Sequence, residues 1–144
     1  MILSASQSPP GWLIPEDNTA GRDARVRMLA CGGTWDALRT PGAVGLPVVA
    51  KLLLRPTDRA VLGPVLHDEQ TGTVYWLVSP GHSANWPNNC TLLGKRDWLA
   101  VPNPINPHSK LTWLHMPTEE VFTGPPWLAK ALQEHLATTD LRTS

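Results

Sequence analysis

Reading along the chain, the first clear alternation of apolar and polar side chains begins at Ala24, with Val26 and Met28 on one side and Arg25 and Arg27 on the other. A period of two is that of a half-buried strand. Cys31, Gly32 and Gly33 then turn the chain. Trp35 to Thr40 continues as an extended segment ended by Pro41, because the residue ahead of a proline is pushed out of the helical region. Gly45 to Leu54 is apolar apart from Lys51 and has Pro47 near its start, where a first helical turn has no use for the missing N–H. That predicts a short, mostly buried helix, followed by a polar connector over Arg55 to Arg59.

Val61 to His67 and Thr73 to Ser79 flank the polar stretch Asp68 to Gly72, which predicts a β-hairpin. In its second strand Val74, Trp76 and Val78 face one way and Tyr75 and Leu77 the other, so both faces are apolar and the strand belongs at the centre of a sheet. Pro80 to Asn89 is a long loop of turn-forming residues. Short strands at Thr91 to Leu93 and Trp98 to Val101, separated by Gly94 to Asp97, suggest a second hairpin-like unit. Pro102, Pro104 and Pro107 impose an extended path, and Leu111 to His115 returns as a strand. Trp127, Leu128, Ala131, Leu132, His135 and Leu136 recur at helical spacing, with Pro125 and Pro126 in the first turn and Thr123 or Gly124 to cap it.

Residues 1–21 read as a partly ordered N-terminal arm in which Trp12, Leu13 and Ile14 can pin the chain to the body. Residues 22–137 form one domain and 138–144 a flexible C-terminal tail. The expected fold is a single α+β domain with a mainly antiparallel sheet and two helices.

Composition narrows this picture. A chain of 144 residues can bury one core, and 42% hydrophobic against 17% charged residues excludes a wholly disordered protein. No run approaches the roughly 20 apolar residues of a membrane span, and Met1 to Pro10 lacks the basic and apolar regions of a secretory signal, so the expectation is a cytoplasmic protein with no membrane partner. Cys31 and Cys90 match neither a disulfide framework nor a CxxC motif and read as reduced structural thiols. The net charge of zero conceals a segment from Arg22 to Arg59 with seven basic and three acidic residues, a net +4, between regions of −2 each. If Arg25, Arg27 and Arg39 share a sheet face with Trp35, they can meet phosphates while the ring stacks on a base.

Other candidate chemistry is sparse. His67, Asp68 and Glu69 form a His-Asp-Glu cluster, but consecutive residues at a strand end point to opposite sides, and a solvated turn explains them. His82, Cys90, His108 and His115 have no zinc-site spacing, so neither metal nor cofactor is expected. Of the seven tryptophans, Trp76, Trp98, Trp113 and Trp127 are assigned to the core, whereas Trp35 and Trp86 neighbour turn residues and are the candidates for a binding surface.

The runs CGGTWDALRTPGAVGLPVVAKL, GPVLHDEQTGTVYWLVSPG, LLGKRDWLAVPNP and PPWLAKAL resemble small actinobacterial proteins that are in turn similar to the N-terminal domain of bifunctional DNA primase/polymerases. The likeness spans Arg25 to Leu136 and rests on Gly, Pro and Trp spacing. It implies an RRM-like, primase-like core. Active members of that family are expected to carry a DxD pair and a His on a following strand; here Asp36 has Leu38 two residues on, and Thr73 stands near where the His belongs. One carboxylate cannot clamp two divalent ions, so the resemblance implies the fold without the catalysis.

The expected function is a non-catalytic binding or regulatory module for a protein partner or nucleic acid, using Arg25, Arg27, Trp35, Asp36, Arg39, His82 and Trp86. The alternatives are a small enzyme or enzyme subunit with His82, Asp36 or Cys90 converging at the Pro80 to Asn89 loop, and a homo-oligomer joined through surface tryptophans.

Overall fold

The computed structural model describes residues 12–13, 26–81, 84–103 and 110–143. Among the described residues, seven strands and three helices follow one another as β1 (Val26–Ala30), β2 (Asp36–Pro41), α1 (Gly42–Leu54), α2 (Pro56–Val61), β3 (Val65–Asp68), β4 (Thr73–Val78), β5 (Thr91–Leu93), β6 (Trp98–Pro102), β7 (Leu111–His115) and α3 (Pro125–Thr143). Five strands form an antiparallel sheet in the order β5-β2-β4-β3-β7, and β1 and β6 form a separate two-stranded one. The α+β class and the antiparallel sheet are as the sequence pattern requires.

β4 lies at the centre because both of its faces are apolar. Val74, Trp76 and Val78 join Leu38, Val65 and the inner faces of α1 and α3 in one core cluster. Leu77, with Ala37 and Leu66, joins Leu99 and Val101 of β6 and Leu13 of the N-terminal segment in a second cluster on the opposite face. The sheet is therefore a middle layer, with helices on one side and the β1–β6 pair with Trp12 and Leu13 on the other. Trp12 meets Phe122 edge to face, ring centroids 5.5 Å apart; Ile14, expected to pack beside it, lies outside the described residues.

The helix-side interface is close. A Cβ on Gly45 would fall 2.6 Å from Thr40 Oγ1 and 2.7 Å from Val74 Cβ, so only glycine lets α1 approach the sheet here. The buried Thr40 hydroxyl accepts from Trp76 Nε1 at 3.0 Å and donates to the Val74 carbonyl at 3.1 Å, which satisfies the indole inside the core. β2, α1 with α2, and β3 form a crossover with β4 inserted between the two parallel strands, a split β-α-β unit.

Four expectations need correction. The described residues hold three helices, because Pro56 starts a turn of helix in the stretch read as a polar connector, and Val61 belongs to it. Pro47 lies inside α1, which begins at Gly42; it is tolerated because Pro47 and Ala43, whose carbonyl it leaves unbonded, are both on the exposed side. β5 and β6 are not a hairpin: Asp97 and Gly94 close a tight turn, but β5 pairs with β2 and β6 with β1. α3 continues to Thr143, through the residues read as a tail. Among the described residues, no helix is long and apolar enough to cross a membrane.

Candidate functional site

The structure scatters the expected site. Trp35 is only 5% exposed and packs in the second cluster beside Cys31 and Leu99, so its ring is no stacking platform; the turn residues after Cys31 fold it inward rather than out. Arg39 is exposed on β2, opposite Tyr75 on one side and Thr91 on the other. It hydrogen-bonds the phenol of Tyr75, whose pKa burial raises and the guanidinium draws down. Arg27 is half-buried on β1, in the other sheet, so the expected face shared by Arg27, Arg39 and Trp35 does not exist. Arg25 and His82, and with them part of the proposed basic face and loop site, lie outside the described residues.

Asp36 opens β2 in a buried position. Burial raises its pKa, and the backbone N–H of Gly81, donating to the carboxylate, works against that rise. Its surroundings include Cys31, whose thiol is pushed up to about 11 by burial first and then by Asp97 and Asp36. Burial likewise pushes Cys90 up to about 11. Both thiols are thus protonated at neutral pH, and a protonated thiol is a poor nucleophile and a poor metal ligand. Asp97 already serves the turn, accepting from Gly94 N–H at 2.9 Å.

Asp68 is also committed to structure, its Oδ1 accepting the N–H groups of Gln70 at 3.0 Å and Thr71 at 3.4 Å to close the β3–β4 turn, where Gly72 takes a φ of +67°. The His67-Asp68-Glu69 cluster is accounted for by that turn. Among the described residues, no group of three or more His, Cys, Asp or Glu is placed to hold a metal ion. His115 Nε2 is buried without a partner, while the ring hydrogen-bonds the Leu62 backbone.

Trp86, expected at a binding surface, sits between the helix-side core and solvent. It is half-buried, packs on the helix-side core, and lines a shallow groove of about 560 Å³ with Asn85, Asn88, Asn89, Gln133 and Leu136. Gln133 Nε2 donates to the Asn85 carbonyl at 2.9 Å and ties the loop to α3.

The most exposed aromatic side chain is Trp98, which the sequence suggests for the core. Trp98 is 59% and Met28 52% exposed. The β1–β6 register sets Val26 against Pro102, Met28 against Ala100 and Ala30 against Trp98, so all six belong to one sheet face and all are apolar. The opposite face carries buried Leu99 and Val101, and Val26 and Ala100 also pack against the second cluster while Pro102 is buried, so the exposed part of the all-apolar face is Met28, Ala30 and Trp98. A signal was present in the sequence: Trp98, Ala100 and Pro102 alternate with Leu99 and Val101, and a two-stranded sheet can bury only one of two apolar faces. No family model, no curated protein and no solved structure matches the chain.

Proposed function

We propose that the chain is a binding module for a protein partner, built on a scaffold similar to the primase/polymerase N-terminal domain without its catalytic acids. The observation that carries this reading is the outward face of the β1–β6 pair, where Trp98 and Met28 stand exposed as diagonal neighbours on an apolar surface. Trp and Met are the residues enriched at protein interfaces, and Trp anchors are disproportionately the hot spots. The scaffold reading is supported by the split β-α-β unit and by Asp36 at the start of β2, where the place of a second acid is taken by fully buried Leu38.

The nucleic-acid version has less support, because Arg27 and Arg39 lie in different sheets and Trp35 is buried. A random peptide library displayed on phage and panned against the full chain tests the reading. Selected peptides are expected to bind the wild type, to lose at least tenfold in affinity to Trp98→Ala, and to bind almost equally at about 50 and 500 mM salt, since no phosphate contacts are broken. Equal binding by Trp98→Ala, or steeply salt-dependent capture of an oligonucleotide in place of any peptide, would sink it.

A further inference from the structure

α1 is apolar on both sides. Val44, Gly45, Val48, Val49 and Leu52 are buried against the sheet and α3. Ala43, Leu46, Pro47, Ala50 and Leu54 face away and are exposed, Leu54 by 83%. At 3.6 residues per turn these five fall on one stripe. The single charge on the helix, Lys51, sits on its flank, lining the groove between α1 and α3. A surface helix ordinarily carries polar residues on its outer side, and among the described residues nothing covers this apolar stripe.

We propose that what covers it is a second copy of the chain, with two α1 helices packed antiparallel about a two-fold axis. The order of sizes along the stripe selects this occupant: Ala43, Leu46, Ala50 and Leu54 alternate small and large at steps of three and four. With the axis between Leu46 and Ala50, Ala43 meets Leu54 of the partner subunit and Leu46 meets Ala50 of the partner subunit. Every small residue faces a large one, the self-complementarity that an isologous interface requires. A parallel pair would set leucine on leucine and alanine on alanine, leaving clashes and gaps.

The charges at the helix ends agree with that direction. Arg55 and exposed Arg59 lie at the C-terminal end of α1, Arg55 held 3.7 Å from Asp58. The N-terminal end abuts the β3–β4 turn through Gly42 N–H to Gly72 O at 2.7 Å, and that turn carries exposed Glu69. Antiparallel packing brings each basic end to an acidic turn. A 13-residue helix is only about 20 Å long and about 10 Å wide. The seam is therefore well under the roughly 800 Å² per partner of a standard interface, so the dimer is expected to be weak.

Sedimentation equilibrium of the full chain tests this. Across about 10 μM to 1 mM the average mass is expected to climb from the monomer's 15.7 kDa toward twice that value. Leu54→Glu and Ala43→Lys are each expected to remain monomeric with unchanged circular dichroism, because both positions are exposed. The double variant Ala43→Lys with Leu54→Glu is expected to dimerise again, since only the antiparallel pair sets each lysine on a glutamate. Trp98→Ala, on the other side of the sheet, is expected to leave the masses unchanged. A wild type monomeric throughout, a Leu54→Glu that still dimerises, a double variant that stays monomeric, or loss of the dimer in Trp98→Ala would each overturn the proposal.

Discussion

Thr40 and Trp76 show how one polar atom decides the behaviour of a core side chain. The Thr40 hydroxyl takes the indole proton and gives its own to a strand carbonyl, so a fully buried tryptophan carries no unpaired N–H. Thr40→Val keeps the shape and removes both bonds, and leaving the buried indole unsatisfied is expected to cost about 1–3 kcal/mol in urea unfolding. Trp76→Phe in that background should cost less than in the wild type, because the orphaned donor goes with the ring. Additive losses would show that the hydroxyl is not the indole's partner in energy terms. The alternation of residues 74–78 made the burial of Trp76 legible in the sequence, but not its partner, which lies across the sheet on β2. Parity along a strand tells which side chains share a face and is silent on which face is covered. For that reason the alternation around Trp98 suggests the core although its face is open, whereas Trp35, a surface candidate because it neighbours turn residues, is folded inward by that turn.

At the scale of elements, the most legible parts are those with long apolar periodicity: α1, β4 and α3. α2 leaves no signal in the sequence because its six residues include no buried one, and so no apolar stripe. The tight turn between β5 and β6 suggests that they pair with each other, whereas their partners, β2 and β1, lie far earlier in the chain. One such long-range joint is the strip ahead of α3. Thr123 bridges to Val78, its N–H bonding Leu77 O at 3.1 Å and its Oγ1 accepting from Gly63 N–H at 2.8 Å. A Cβ on Gly63 would lie 2.8 Å from both Phe122 Cα and Val121 O, backbone atoms that cannot swing aside. Gly63→Ala is expected to cost about 2–4 kcal/mol by urea unfolding, as an overpacked core does. Gly33→Ala, where the added methyl meets nothing within 4 Å, is the matched control and should change little. Equal effects at the two positions would mean that the joint between the β3 entry and the α3 entry yields at no cost.

For the whole molecule, the neutral net charge removes global self-repulsion as a strong influence on stability near pH 7, so a few buried titrating groups set its pH dependence. His115 is held below its ordinary value of 6.5, chiefly by burial, with Arg59 adding to the shift and the Leu62 backbone bond opposing it. Its folded pKa is depressed, so the unfolded chain binds the proton more readily, and stability present above about pH 6.5 is lost as the pH falls through the folded value. Asp36 acts in the opposite sense, its raised pKa favouring the fold below 3.8 and losing that contribution as the pH climbs through the folded value, so it opposes the acid loss. Cys31 and Cys90 are raised from 9.0 to about 11, and their contribution is intact below pH 9 and lost as the pH rises through about 11. The expected profile is a plateau from about pH 7 to 9 that falls on both sides. Urea midpoints measured from pH 5 to 11 should show a shallower acid limb for His115→Gln and a shallower alkaline limb for Cys31→Ala with Cys90→Ala, whatever constant offset the substitutions introduce. Variant curves that run parallel to the wild type on these limbs would mean that the three groups are solvated enough to titrate alike in both states, and that neither face of the sheet is as closed to water as the two clusters require.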